Sequence, residues 1–173
     1  MTEILWHGRG GQGAFTAARL LGDAYSHKNG AYSLSFPSFG PERRGAPIRA
    51  FTKLADTPIG NRSEIKKADY SIYLDDTLLD TAAFDELKNG GRLLVNTSKK
   101  YDDPRIVAVD AGRIAREVLG LPITNTILLG IFAAVSGEVS LDDVAYAIKR
   151  NMPKKLHDKN IAAVSAAFRE VGA

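Results

Sequence analysis

The chain has 173 residues, 45% of them hydrophobic and 25% charged, which is the profile of one soluble globular domain, residues 1–173, with room for a sizeable core. It has no cysteine, which excludes disulfides, thiolate metal sites, cysteine nucleophiles and any iron–sulfur cluster held by this chain. A formal net charge of +3 is too mild to argue for nucleic acid.

The chain opens on a short apolar run at residues 3–7, read as a buried strand, that enters a glycine-rich turn, Gly8-Arg9-Gly10-Gly11-Gln12-Gly13. From Gly13 to about Asn29 the apolar spacing predicts a helix, stopped by Asn29-Gly30. Ala31 to Phe36 alternates and reads as a second strand. Strand, helix, strand over this length is a βαβ unit, which implies a parallel sheet. A loop rich in proline follows, Pro37 to Pro47, carrying Ser38, Arg43 and Arg44. Ile48 to Leu54 reads as a strand, Asp56 to Asn61 as a turn and Ser63 to Lys67 as a short helical turn.

Asp69 to Leu74 reads as a strand. Asp75-Asp76 then suits the cap of a helix from Leu78 to Lys88, with Asn89-Gly90-Gly91 as its stop. Arg92 to Asn96 and Arg105 to Val109 are the remaining strands, separated by a charged loop. Asp110 caps a helix to about Leu119, and Asn125 to Ser136 is apolar almost all round, a helix buried on several sides. Ser140 caps a helix to Arg150, Pro153 breaks the pattern, and Leu156 to Val171 is amphipathic. The expected fold is α/β: a three-layer, Rossmann-like, open and mostly parallel sheet with a helical C-terminal segment. The longest apolar run, Ile127 to Val135, is too short to cross a bilayer, and no export signal opens the chain, so a cytoplasmic protein is expected.

The glycine turn has the physical chemistry of anion binding: glycines permit close approach, and the first N–H groups of a helix lack partners. Other chemistries are missing. An NAD enzyme would place an acid at the end of the second strand, but that strand runs out through Ser35, Phe36, Pro37 and Ser38. NADP survives as an alternative because Arg43 or Arg44 suits a phosphate. Ala14-Phe15 after the last glycine rules out a nucleotidase P-loop, and no G-x-S-x-G elbow occurs. The carboxylate pairs Asp75-Asp76, Asp102-Asp103 and Asp142-Asp143 sit where caps or loops are expected, and the three histidines have no metal-ligand spacing. No catalytic residue and no metal site is therefore assigned. His7 is read as structural, and Lys149, Arg150, Lys154, Lys155 and Lys159 as a solvated face. The candidate cofactor-binding set is Gly8, Arg9, Gly10, Gly11, Gln12, Gly13, Ser38, Arg43 and Arg44.

Gly8-Arg-Gly-Gly-Gln-Gly13 and Phe36-Pro-Ser-Phe-Gly-Pro-Glu-Arg-Arg-Gly-Ala-Pro47 resemble the gamma subunit, or gamma-type domain, of the pyruvate:ferredoxin and related 2-oxoacid:ferredoxin oxidoreductases. Asn125-Thr-Ile-Leu-Leu-Gly130 and Asp158-Lys-Asn160 extend the resemblance over nearly the whole chain. The resemblance implies an assembly that oxidatively decarboxylates a 2-oxoacid, with pyruvate favoured, to an acyl-CoA while reducing ferredoxin. It implies thiamine diphosphate, Mg and iron–sulfur clusters in alpha, beta and delta-type partner subunits. For this chain it implies coenzyme A binding and support of the assembly. The turn and the arginine loop then become expected contacts to coenzyme A phosphates. A purely structural assembly module is the other reading, since Phe36, Pro37, Phe39 and Pro41 are apolar for an exposed loop.

Overall fold

Six strands form one sheet in the order β2-β3-β1-β4-β5-β6. The computed structural model describes residues 1–28, 30–38 and 44–172. The strands are β1 (Thr2–Arg9), β2 (Tyr32–Pro37), β3 (Pro47–Ala55), β4 (Ala68–Tyr73), β5 (Leu87–Asn96) and β6 (Ile106–Val109). The pairings β1–β4, β4–β5 and β5–β6 are parallel. β3 runs antiparallel to both of its neighbours, β1 and β2.

The opening strand–helix–strand unit is therefore real but wider than expected. β1 and β2 point the same way, yet they are not neighbours, because β3 returns from the Pro37–Pro47 loop and pairs between them. Pairing is decided by contacts distant in sequence, which a local pattern does not carry.

The helices are α1 (Ala14–Ser26), α2 (Ala111–Ile114, continued by a π-helical turn, Ala115–Leu119), α3 (Asn125–Ser136), α4 (Leu141–Asn151) and α5 (His157–Gly172). They share one face of the sheet and one large core, built on Ile4, Trp6, Leu20, Leu94, Phe132 and Val164 among others. Small residues bring α1 close to the strands: Ala14, Ala17 and Ala18 are fully buried. The carbonyl of Ala18 accepts hydrogen bonds from Ser35 Oγ (2.8 Å) and Thr52 Oγ1 (3.0 Å), which dock the helix on β2 and β3. Trp6 Nε1 donates to the same Thr52 hydroxyl (3.1 Å), so this buried polar group is matched.

The other face carries a thin third layer. It consists of the stretch holding buried Ile65 and two 3-10 segments, Asp76–Leu78 and Thr81–Glu86. Here the expected helix over 78–88 is corrected. Asp75 and Asp80 each cap a separate short turn, accepting from Thr77 N and Ala82 N, and Leu79 between them is extended. Two competing caps divide the segment before a helix can propagate. Asn89-Gly90-Gly91 is not a helix stop but part of β5, at a register shift against β4. A Cβ at Gly91 would lie 2.9 Å from the Ala68 carbonyl, so that close crossing requires glycine. Ser63–Lys67 is bent chain without a helical turn.

The C-terminal helices lie where the sequence places them. Ser140 and Asp143 form a reciprocal capping box on α4. Asp143 also accepts from Lys28 (2.7 Å) and lies 2.8 Å from His27 Nε2, joining the end of α1 to the start of α4. Burial raises the Asp143 pKa, but hydrogen bonds from Lys28, the Ser140 N–H and His27 outweigh it and leave the carboxyl well below the ordinary range. A depressed folded-state pKa gives stability that is complete above the unfolded value and lost as pH falls below it. Asp143→Asn is thus expected to lower the unfolding free energy at neutral pH by about 1.5–3 kcal/mol. Denaturant curves from about pH 7 down to pH 3 should show parent and variant converging once the unfolded carboxyl range near 4 is crossed.

Candidate functional site

β1 leaves the sheet at Arg9 and enters the turn. Gln12 N donates to Arg9 O (2.9 Å), and Arg9 N donates back to Gln12 Oε1 (2.7 Å), closing the turn on itself. Gly11 (φ 96°) and Gly13 (φ 81°) are left-handed, a conformation that disfavours any side chain. α1 starts directly after Gly13, with no side-chain cap and no acidic residue in its first turn. Its first internal bond is Ala17 N to Gly13 O (3.0 Å). Among the described residues, no acceptor meets the N–H groups of Gly11, Gly13 and Ala14. The positive end of a helix dipole is thus left open beside a glycine backbone, an arrangement suited to an anion.

The second loop meets the first directly. Gly10 N donates to Ala46 O (2.8 Å) and Gly45 N donates to Gly10 O (3.0 Å), flanking a parallel bridge between Gly10 and Arg44. The glycine turn and residues Arg44–Ala46 therefore form one surface at the carboxyl edge of β1. Arg44 is exposed and enters no ion pair or hydrogen bond among the described residues. Arg43 lies outside the described residues.

Three members of the predicted set take other roles. Arg9 donates through Nε to Asp75 Oδ2 (3.1 Å), through Nη1 to Gly45 O (3.1 Å) and through Nη2 to Thr77 Oγ1 (2.8 Å). Gln12 Nε2 donates to the same Asp75 oxygen (3.1 Å). Both side chains shape the turn. Ser38 stands apart: its N–H donates to Arg49 O (2.9 Å), its hydroxyl to Glu64 Oε1 (3.3 Å), and β3 separates it from β1.

Two contacts have no counterpart in the sequence reading. Asp75, read only as a cap, is the hub of the turn. Its place at the end of β4, a strand parallel to β1, puts it at the same edge, and a strand-end carboxylate was the available signal. Asn125 packs its amide against Gly13 and donates to the Gly13 carbonyl (3.4 Å). The segment leading into it exposes Leu121 (54%) and Ile123 (45%).

His7 precedes the turn but faces the opposite side of the sheet. Its ring stacks on Tyr73 (centroids 4.2 Å apart, 9° between planes) and its Nε2 lies 2.8 Å from Glu86 Oε2. Burial raises the Glu86 pKa, but the hydrogen bond and charge of His7 outweigh it, and the carboxyl is lowered overall. Burial and the Glu86 carboxylate push the Tyr73 hydroxyl upward. These contacts fasten the second 3-10 segment to β1. Among the described residues no three His, Cys, Asp or Glu groups cluster to hold a metal, and no helix is long and apolar enough to cross a membrane.

A mostly parallel α/β sheet, with a glycine-rich strand–turn–helix unit meeting the Arg44–Ala46 segment at its carboxyl edge, defines a domain of Rossmann-like architecture. The chain belongs to the pyruvate ferredoxin/flavodoxin oxidoreductase family, whose description matches residues 3–170. It is 44% identical over 174 residues to the pyruvate synthase subunit PorC of Methanothermobacter thermautotrophicus, covering 99% of this chain and 96% of that one. It is 45% identical over 180 residues to the pyruvate/ketoisovalerate oxidoreductases common subunit gamma of Thermococcus kodakarensis, covering 98% and 97%. The crystal structure of pyruvate oxidoreductase subunit PORC from Thermotoga maritima superposes with a TM-score of 0.83 at 34% identity, covering 97% of this chain and 95% of that one. Within the family the chain is a gamma-type subunit of a multi-subunit 2-oxoacid:ferredoxin oxidoreductase.

Proposed function

We propose that this gamma subunit holds the phosphates of coenzyme A for a cytoplasmic complex that converts a 2-oxoacid, pyruvate by preference, to an acyl-CoA and reduced ferredoxin. The observation that carries the reading is the hydrogen-bonded junction of the open glycine turn with the Arg44 loop. Backbone N–H groups of Gly11, Gly13 and Ala14 present fixed donors, and Arg44 presents a planar, permanently charged fork. The chain offers no cysteine for a cluster. Thiamine diphosphate, Mg and iron–sulfur clusters are assigned to alpha, beta and delta-type partners. The chemistry of decarboxylation and electron transfer belongs to those groups; this chain's part is to bind and orient a long anionic substrate.

Arg44→Ala in the assembled complex is expected to raise the KM for coenzyme A by about tenfold or more, the loss of one charged hydrogen-bonding contact of roughly 1.5–3 kcal/mol. The KM for the 2-oxoacid should stay constant. A variant complex with unaltered coenzyme A kinetics would remove Arg44 from the site.

One observation favours a second role that can coexist. Leu121 and Ile123 are exposed a few residues before Asn125, whose amide meets Gly13, and exposed apolar side chains there suit a partner subunit. Calorimetry of coenzyme A against the isolated chain and against the complex separates the two. Binding by the complex alone would mean that partners complete the site.

A further inference from the structure

A turn with glycine at four of its six positions, Gly8 to Gly13, gives up more backbone entropy on ordering than other sequences do. Something must hold it. Within the turn there are only the two Arg9–Gln12 bonds. From outside, the Gly45–Ala46 backbone holds Gly10, Asn125 holds the Gly13 carbonyl, and Asp75 holds the Arg9 and Gln12 side chains: just past the end of β4, it accepts Arg9 Nε and Gln12 Nε2 on Oδ2, and Thr77 N (3.0 Å) and Thr77 Oγ1 (2.6 Å) on Oδ1. Leu74 N donates to His7 O (2.8 Å), so Asp75 is placed by the same β1–β4 register that places Arg9.

We propose that Asp75 is the positioning residue of the glycine turn: its carboxylate, gripped by Arg9 and Gln12, fixes the backbone N–H groups that meet the coenzyme A phosphates. Arg9 is then an internal counter-ion and not a phosphate ligand. The proposal rests on the coenzyme A reading given above. Four donors fill the acceptor capacity of the carboxylate, which leaves it no role as base or metal ligand. Burial raises the Asp75 pKa, but the bonds from Thr77 and Gln12 and the charge of Arg9 outweigh it, so the group stays ionised at neutral pH. The Arg9–Asp75 pair is neutral as a unit. The positive field at the turn therefore comes from the open end of α1 and from Arg44. The competing explanation is that Asp75 only caps the 3-10 segment Asp76–Leu78, as Asp80 caps the next one.

The test is Asp75→Asn in the assembled complex, because asparagine keeps an acceptor for Thr77 and loses the charge held by Arg9. Hydrogen exchange at the two bonded amides of the turn, Gly10 and Gln12, should quicken about tenfold, and the KM for coenzyme A should rise by about as much, with kcat and the KM for the 2-oxoacid unchanged. Arg9→Ala combined with Asp75→Asn should cost less than the sum of the two single variants, because the Arg9–Asp75 bond is lost in each. Asp80→Ala, which removes only a cap, should leave coenzyme A kinetics at the parent value. Unchanged exchange and unchanged KM in Asp75→Asn would overturn the proposal. A lowered KM would overturn it too, by making Asp75 a competitor of the ligand. The underlying reading is checked in the parent: coenzyme A must slow exchange in the turn. If it does not, the coenzyme A reading and the KM half of the proposal fall together. Faster exchange in the variant would still uphold Asp75 as the group that orders the turn.

Discussion

A Gly130→Val variant is expected to lose about 3 kcal/mol or more of stability and to express largely as insoluble chain. Gly130 lies where α3 crosses α5. A Cβ there would stand 2.5 Å from the Val164 carbonyl oxygen and 3.1 Å from Val164 C and Cα. Those are backbone atoms of a packed helix, so no rotamer change relieves the clash and α5 must shift as a body. The shift would pull on the buried bond from Thr126 Oγ1 to Asn160 Oδ1 (2.9 Å), and Asn160 in turn holds the Leu156 carbonyl (2.8 Å). It would also disturb the core that α3 and α5 share, to which Ala163 and Val164 belong. Gly172→Val is the control, since a Cβ there meets nothing within 4 Å. Urea unfolding of both reads the difference; a Gly130→Val protein within about 1 kcal/mol of the parent would show that the crossing can relax.

Gly13→Ala should damage both the fold and the site. The residue is left-handed at φ 81°, which costs an alanine about 1–2 kcal/mol. The new Cβ would also lie 2.6 Å from Asn125 Nδ2, so that amide must rotate and surrender its bond to the Gly13 carbonyl. Together these predict a loss of about 2–3 kcal/mol in thermal or urea unfolding. On the coenzyme reading, the affinity of the complex should fall about tenfold or more as the helix N-terminus moves. Gly11→Ala separates the causes: it has φ 96° but open space around its Cβ, so it should show the conformational cost alone. Gly13→Ala combined with Asn125→Ala should recover only the steric share. Equal stability of the Gly11 and Gly13 variants would refute the role given to Asn125.

The two glycine variants also explain the long resemblance motifs. Asn125 and Thr126 open α3, Gly130 lies one helical stretch further on, and Asn160 faces them from α5. Asn125 supports Gly13, Thr126 and Asn160 bond each other, and Gly130 receives the Val164 backbone. Sequence words separated by more than a hundred residues thus meet behind the glycine turn. They buttress it and do not line it.

Much of the architecture was legible locally. The buried run at Ile4 to Trp6, the glycine turn, the spacing of α1 and the Ser140 capping box each state their structure within a few residues, because hydrogen bonding and burial there are short-range. The stretch from Leu78 to Lys88 misled because its apolar spacing allows a helix, while Asp80 offers the backbone a competing cap. The glycines at 90 and 91 looked like a stop because a register shift and a backbone crossing leave the same residue type in the sequence as a helix end.

By itself the sequence determined that a glycine turn opens a helix, that an arginine loop exists, and that no thiol cluster can belong to this chain. Only the tertiary structure decided that β3 inserts between β1 and β2, that the two loops are hydrogen-bonded into one surface, and that Arg9 and Gln12 face Asp75. The reason is physical. A charged donor in a glycine turn has the same local signature whether its partner is a ligand's phosphate or a carboxylate of the next strand. The choice is made by the β1–β4 register, which joins residues 66 positions apart.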